Sequence, residues 1–484
     1  MNYRMMGKFI SRILMLEGIF MLPALCISLF RQERMAIQGF AYSIALILVL
    51  SLLFYFYGRK AERKFYAKEG MVCVSASWIL LSLLGCLPFY ISKEIPRFVD
   101  ALFETVSGFT TTGATILPAV EDLSRGILYW RSFSHWIGGM GVLVLLLAIT
   151  SVGGNENGFT MHLLRAESAG PDVGKLVPKM KTTASILYWI YIGLTVLNLV
   201  FLLLGGMPLF DAVCTALGTA GTGGFGIKND GLAGYSPYIQ NVTTIFMLLF
   251  GVNFGCFYLV LMKRVKDVLR DEELRMYLGI CAVATVLIVW DLRGVYGSLG
   301  ETIRHAAFQV SSIITTTGYA TADFNLWPNF SKAILMTLLV LGGCAGSTAG
   351  GFKLSRAMLL AKNARRSVRR VVRPQKVQAV RCNGRAVSEK VLENINAYLA
   401  VYVLVIVISF LLISLDGFSY ATSFTSVLTC VNNVGPGLEM VGPAGNFSQF
   451  SVFSKLILTL DMLVGRLEIF PMLILFSRST WRRK

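Results

Sequence analysis

Apolar residues in this chain gather into runs of two lengths. The longer runs cover about 14–30, 40–56, 72–91, 127–150, 186–204, 243–262, 276–290, 333–360, 391–415 and 453–476. Most come close to the roughly 20 residues that a helix needs to cross a hydrocarbon core, so the pattern predicts ten spans. Between the members of each of the last four pairs lies a shorter, mostly apolar stretch of about a dozen residues, too short to cross. Each short stretch runs into a polar peptide containing glycine: Ser107-Gly108-Phe109-Thr110-Thr111-Thr112-Gly113, Gly221-Thr222-Gly223-Gly224-Phe225, Thr315-Thr316-Thr317-Gly318-Tyr319 and Asn432-Asn433-Val434-Gly435-Pro436-Gly437.

A short apolar helix followed by such a peptide predicts a re-entrant segment, because irregular backbone survives at membrane depth only where it lines water or is buried in protein. Four of them predict one pore with fourfold pseudo-symmetry. Extended backbone through a glycine can turn successive carbonyl oxygens inward, and a ring of these can replace the hydration shell of a cation. The glycines 113, 223, 318 and 435 stand 110, 95 and 117 residues apart, which reads as one unit repeated with loop-length variation. Upstream, each short stretch starts at an alanine (Ala101, Ala212, Ala306, Ala421). Downstream, each second span carries a mid-span glycine (Gly139, Gly251, Gly343, Gly465).

The expected architecture is therefore an all-α integral membrane protein of ten spans. It divides into an N-terminal transmembrane hairpin (1–68) and four units of span, short helix, glycine peptide and span, at 69–182, 183–274, 275–390 and 391–484. The first run could pass for a secretory signal, and Pro23-Ala24-Leu25-Cys26 hints at a lipoprotein cleavage site. However, Leu25 sits where a small residue belongs and a second span follows at once, so a retained hairpin is expected.

Composition agrees with a membrane protein: 55% of residues are hydrophobic and only 15% charged, against about 25% charged in ordinary soluble chains. Forty-six glycines suit closely packed spans. The formal charge of +18 raises nucleic acid as a partner, but its placement argues for a membrane instead. With the N-terminus inside, 33 of the 45 Lys and Arg residues fall in inner segments, which places both termini in the cytoplasm and all four glycine peptides outward. The nine cysteines show no Cys-x-x-Cys and the three histidines are widely separated, so neither a disulfide framework nor a metal centre is indicated.

Three features sit beside the glycine peptides. Ten small residues, Gly342 to Gly351, interrupt the run at 333–360. Either they form an unwound loop beneath the peptides that can obstruct the ion path, or they are a small-residue packing face on an intact helix. Arg466 lies deep in the last span; such a charge is expensive there. It either faces the pore as a barrier to cations or pairs with Glu468 or helix carbonyls. Glu104 and Asp211, in the short helices, either order the scaffold or attract cations at the outer mouth. The basic stretch 353–390 reads as a solvated inner loop, a contact with anionic lipid headgroups or a dock for an acidic partner.

The four glycine peptides, the Gly342–Lys353 sequence, Asn433-Val434-Gly435-Pro436-Gly437 and Gly465-Arg466 together resemble the Trk/Ktr/HKT superfamily of potassium transporters. The extra hairpin makes the chain most similar to the bacterial TrkH-type subunits. That resemblance implies potassium uptake across the bacterial inner membrane, a homodimer, and gating by a cytosolic nucleotide-binding ring of the TrkA type. It implies a filter at Thr111, Thr112, Gly113, Gly221, Thr222, Gly223, Thr316, Thr317, Gly318, Asn433, Val434 and Gly435. It also implies a gate at Gly346, Ser347, Thr348, Ala349, Gly350 and Gly351 together with Arg466. A serine in place of the first filter glycine goes with sodium transport in this superfamily, so Gly113 implies K+ as the transported ion. The second peptide departs from the pattern, with fewer hydroxyls than the first and third, which bears on the degree of selectivity.

The alternatives to a selective conduit are a proton- or sodium-coupled secondary transporter and a less selective potassium/sodium transporter. The apolar segments offer Glu104, Asp211 and Glu468 as titratable groups for coupling. An enzyme is not expected: His-Glu-x-x-His, Gly-x-Ser-x-Gly and Walker patterns are absent from the sequence. Membrane lipid is an expected partner and nucleic acid is not.

Overall fold

The computed structural model describes residues 1–60, 67–141, 180–375 and 378–481, and these are mostly helical. Six of the described helices are long and apolar enough to cross a membrane: Tyr3–Arg31, Arg34–Gly58, Lys68–Ile91, Ala184–Leu204, Glu272–Asp291 and Glu389–Asp416. They are the predicted hairpin and the first span of each unit. Large apolar side chains such as Leu53, Leu204, Val286 and Leu411 stand exposed on them, as a lipid-facing surface requires. Within the hairpin, the Ser11 and Ser51 hydroxyls each donate to the other residue's backbone carbonyl at 2.8 Å, joining two helices that have no hydrophobic drive to associate in lipid.

The second spans depart from the sequence expectation. Only the third was expected to be broken, yet all four helices stop part-way: Arg125–Gly139, Pro237–Phe250, Asn329–Val340 and Val452–Arg466. In the second unit a new helix, Phe254–Leu261, leaves at 91° to the first. In the fourth, helix Phe470–Phe476 begins after three residues, and in the third helix is regained only at Leu354. The continuation expected at 142–150 lies outside the described residues. The breaks fall at close backbone approaches. A Cβ on Gly138 would land on the Phe109 carbonyl, one on Gly465 on the Val431 carbonyl, and one on Gly251 2.7 Å from the Thr315 methyl. The glycines read as span midpoints are thus at or beside the points where these helices meet the end of a short helix and stop.

The short helices form, at Phe98–Phe109, Leu209–Gly221, Leu299–Ile314 and Tyr420–Asn432, but they start ahead of the expected alanines, the third at Leu299 instead of Ala306. Ser298 and Ser419 cap the third and fourth by accepting from the Glu301 and Thr422 amides, the usual role of serine at a helix start. Polar ties join these stretches in a closed order. Arg131 donates to the Gly226 carbonyl (2.8 Å) between first and second, and Arg304 to Gln240 (2.9 Å) between second and third. Asn325 and Glu439 exchange two backbone-to-amide bonds (2.9 and 3.1 Å) between third and fourth. Lys455 pairs with Asp100 (2.7 Å) between fourth and first.

Candidate functional site

Each short helix ends in the same backbone device. The amides of Thr111, Thr222, Thr316 and Asn433 reach back three residues, to Gly108, Thr219, Ile313 and Cys430. The next amides, of Thr112, Gly223, Thr317 and Val434, reach back five, to Ser107, Gly218, Ser312 and Thr429, at 2.8–3.0 Å. This is a Schellman ending, whose first residue past the cap adopts a left-handed conformation normally taken by Gly or Asn. Here φ is 56° at Thr111, 54° at Thr222, 56° at Thr316 and 55° at Asn433. Three of the four are β-branched threonines, for which positive φ is an outlier costing on the order of 1–3 kcal/mol. Two residues later φ is positive again, at Gly113, Gly224, Gly318 and Gly435 (73° to 93°).

That repeat sets the register of the second peptide. The residue matching Gly113, Gly318 and Gly435 is Gly224, and Gly223 matches Thr112. Gly221 therefore stands level with Thr110, one residue ahead of the expected set. The sequence Gly221-Thr222-Gly223-Gly224 offers several glycines, and spacing alone does not choose among them.

The four peptides meet in cyclic order. A Cβ on Gly113 would fall on the Gly223 carbonyl oxygen, one on Gly224 on that of Thr317, one on Gly318 on that of Val434, and one on Gly435 against that of Thr112. Four equivalent carbonyl oxygens therefore each abut the next peptide's glycine. Both the left-handed φ and the missing Cβ are needed there.

Behind the ring the packing differs from unit to unit. In the first and third peptides paired hydroxyls (Thr110 with Thr112, Thr315 with Thr317) lie 2.8 Å apart. In the second the corresponding residues are glycines, and the space belongs to His135, which a Cβ on Gly223 would strike. The buried imidazole places Nδ1 2.8 Å from the Gly108 carbonyl and accepts from the Phe225 amide at Nε2 (3.3 Å). These partners assign the proton to Nδ1 in a neutral ring. The scarcity of hydroxyls in the second peptide is thus made good by a side chain of the first unit. In the fourth, the Asn433 side-chain Nδ2 donates to the Thr112 hydroxyl (3.0 Å) and to the Met462 carbonyl (2.9 Å).

Glu104 is fully buried and belongs to the scaffold. It accepts from Arg131 Nε (2.6 Å), the Ile116 amide (2.9 Å) and the Thr115 hydroxyl (2.9 Å), while the Arg131 guanidinium lies 3.6 Å from the centre of the Phe225 ring. Asp211 accepts from the Tyr235 hydroxyl (2.8 Å) with Arg125 3.8 Å away.

The small-residue segment is an unwound loop, not a helix face. Its neck is closed by the Gly342 amide donating to Phe352 (2.9 Å) and the Leu354 amide to Gly343 (3.2 Å). The loop meets the second, third and fourth units directly and the first through Arg466. The Gly350 amide donates to the Thr316 hydroxyl (2.6 Å) and the Thr348 hydroxyl to the Phe250 carbonyl (3.2 Å). Gly346 accepts from Phe254 (3.0 Å), a Cβ on Gly350 would stand 2.9 Å from the Asn432 carbonyl, and Ser347 bonds within the loop to Cys344 (2.6 Å). Arg466 closes the set by donating to Thr348 O (3.0 Å), Gly139 O (2.8 Å) and Gly138 O. Ala349 O accepts from Lys353. Glu468 pairs with Arg356.

A family model described as "TrkH: Cation transport protein" matches residues 36–482. The chain belongs to the TrkH family. It is 37% identical to the Trk system potassium uptake protein TrkH of Escherichia coli (strain K12) and 36% identical to that of Salmonella typhimurium, over 100% of both chains in each case. The crystal structure of the potassium transporter TrkH from Vibrio parahaemolyticus matches with a TM-score of 0.89 at 30% identity, covering 100% of both chains.

In this TrkH-family chain the twelve sequence-predicted filter residues lie in the four converging peptides, and the six loop residues and Arg466 lie together next to them. Sequence reasoning passed over Arg131, His135, Gly224, Glu273, Lys455 and two buried carboxylates, Glu17 and Asp461. Apart from Gly224, their shared signal is a polar or charged residue within or at the edge of an apolar run, which by default marks a pairing or a site.

Proposed function

We propose that this protein carries K+ across the bacterial inner membrane through the space bounded by the four glycine peptides. The observation that supports this is the cyclic contact of carbonyl oxygens and glycines among peptides with one backbone conformation. Such a ring gives a dehydrated cation oxygen ligands in place of water. The C-terminus of a helix carries about half a negative charge, and four such ends lead directly into the ring, so each favours a cation there. The oxygens proposed to line the path come from Thr111, Thr112, Thr222, Gly223, Thr316, Thr317, Asn433 and Val434, with Gly221 one level below. The relatives named above are potassium uptake proteins, in keeping with this reading.

The proposal extends to the architecture. The four units 69–182, 183–274, 275–390 and 391–484 surround a pseudo-fourfold axis, with ten spans in all and the broken second spans counted as one each. Both termini are cytoplasmic, so the peptides open outward. The loop Gly346–Gly351, held by Arg466, is the obstruction on the inner side. A second copy of the chain and a cytosolic nucleotide-binding ring of the TrkA type complete the system, with the basic helix Leu354–Val372 inside.

Uptake of potassium, rubidium and sodium by liposomes holding the pure protein, with and without a pH gradient, tests the ion and the coupling together. Potassium and rubidium are expected to enter well ahead of sodium, with rates unchanged by the gradient. Equal entry of sodium defeats the potassium reading, and gradient-dependent uptake defeats the conduit.

Gly113→Ser tests the ring itself. A side chain at this φ costs about 1–2 kcal/mol, and its Cβ would displace the Gly223 carbonyl. The potassium-to-sodium ratio is therefore expected to fall about tenfold, equivalent to about 1.4 kcal/mol. An unaltered ratio removes the first peptide from the ion path.

A further inference from the structure

The first turn of helix Glu272–Asp291 carries three consecutive carboxylates that face different parts of the molecule. Glu273 is buried, and its Oε1 accepts from the Ala345 amide at 2.7 Å and from the Ser355 amide at 3.0 Å. These two amides stand at opposite ends of the small-residue loop, so one oxygen grips the loop on both sides of its neck. Hydrogen bonds to an ionised acceptor are the stronger kind, and the grip reinforces the backbone bonds that close the neck.

The two preceding residues look the other way. Asp271 Oδ1 caps the helix through the Leu274 amide (2.8 Å) while its Oδ2 accepts from Asn383 Nδ2 (2.8 Å). The Glu272 amide donates to Asn383 Oδ1 (2.9 Å), and the Asn383 amide returns a bond to Glu272 Oε1 (3.2 Å). Glu272 also pairs with Lys362 of the basic helix. Asn383 is the turn residue, at φ 50°, of a two-stranded hairpin in which Arg381 pairs with Ala386 and Cys382 with Arg385. This hairpin is largely exposed. One helical turn is therefore bonded on one side to a surface hairpin and on the other to both ends of a buried loop.

We propose that Asp271–Glu273 is the joint through which the hairpin sets the position of the loop, with Glu273 as a positioning residue. The proposal rests on the reading of the loop as the gate. Holding Asn383 in place orders the first turn of the helix, where amides lack intrahelical partners and fraying begins. Anything that draws the hairpin away frees that turn, loosens the hold of Glu273, and leaves the neck closed only by its backbone bonds.

The loop carries its own probe, since Cys344 lies next to Ala345 and is 1% exposed. With exposed Cys26 and half-buried Cys382 replaced by serine, the rate at which a small methanethiosulfonate modifies Cys344, located by mass spectrometry, reports loop opening. Glu273→Ala is expected to raise that rate about tenfold, the factor for one charge-assisted hydrogen bond. Glu273→Gln, which keeps an accepting oxygen but not its charge, is expected to raise it only about threefold. Asn383→Ala, on the exposed turn and no threat to folding, is expected to raise it about threefold. Parent-like labelling in Glu273→Ala or Asn383→Ala overturns the joint, as does Glu273→Gln labelling as fast as Glu273→Ala. Rubidium flux measured alongside separates the two ideas. Faster labelling with unchanged flux upholds the joint and ends the gate reading, whereas parent-like labelling with raised flux in an Arg466 variant upholds the gate and ends the joint.

Discussion

Arg131→Met is expected to unfold at markedly lower temperature than the parent and to lose ion selection. The substitution strands the Glu104 carboxylate, whose side chain is 0% exposed beside an arginine that is 2% exposed. Removing one partner of a buried pair typically costs about 3–5 kcal/mol because the remaining charge has no compensation. Two further losses act on the ring: the Gly226 carbonyl loses its donor and Phe225 loses the cation stacked on its face. Phe225 ends the second glycine peptide and Gly226 directly follows it. Adding Glu104→Gln removes the stranded charge while keeping an acceptor for the Ile116 amide, so the double variant is expected to regain a large part of the stability but not the bond to Gly226. Thermal unfolding in detergent and rubidium-to-sodium flux ratios in liposomes measure both parts. Parent-like stability in Arg131→Met would show that the pair contributes nothing net.

Arg466→Ala is expected to raise basal potassium flux about tenfold or more in liposomes lacking any cytosolic partner, since it removes charge-assisted bonds worth about 1.5–3 kcal/mol each. One guanidinium donates to Thr348 in the loop and to Gly138 and Gly139 at the end of the first unit's broken helix, and so ties the obstruction to the frame around it. The variant also takes a positive charge out of the proposed ion path. Arg466→Lys separates the two effects: it keeps the charge, but an ammonium is a compact point donor without the planar fork that spans three carbonyls. A lysine variant as leaky as alanine assigns the barrier to the latch, and one as tight as the parent assigns it to charge. Parent-like flux in both variants removes Arg466 from the gate.

Sequence reasoning reached the short helices, the glycine peptides and the first spans because each leaves a compositional mark: an apolar run of fixed length, or a glycine where no side chain fits. It also singled out the loop, as ten small residues in a run that should cross the membrane. It did not reach the three other breaks, because hydropathy reports what a segment is made of and not its direction. Phe246 and Phe257 are equally apolar on either side of a 91° turn. The register of the second peptide was out of reach for a related reason: four neighbouring residues include three glycines, and the left-handed positions are fixed by hydrogen bonds back into the helix. His135 illustrates the same limit across units. Nothing near Gly223 in sequence indicates that an imidazole from 88 residues earlier fills the place of two missing hydroxyls.

The loop that meets three of the walls, and is tied through Arg466 to the fourth, belongs to one of them. A quartet of identical flaps would have to withdraw together, and the probability of passage would rise as the fourth power of each flap's own equilibrium. With a solitary plug, one release event clears the way, and within one chain the response to any stimulus follows a simple two-state curve. Steepness beyond that has to be supplied from outside, by a neighbouring copy or by an attached regulator.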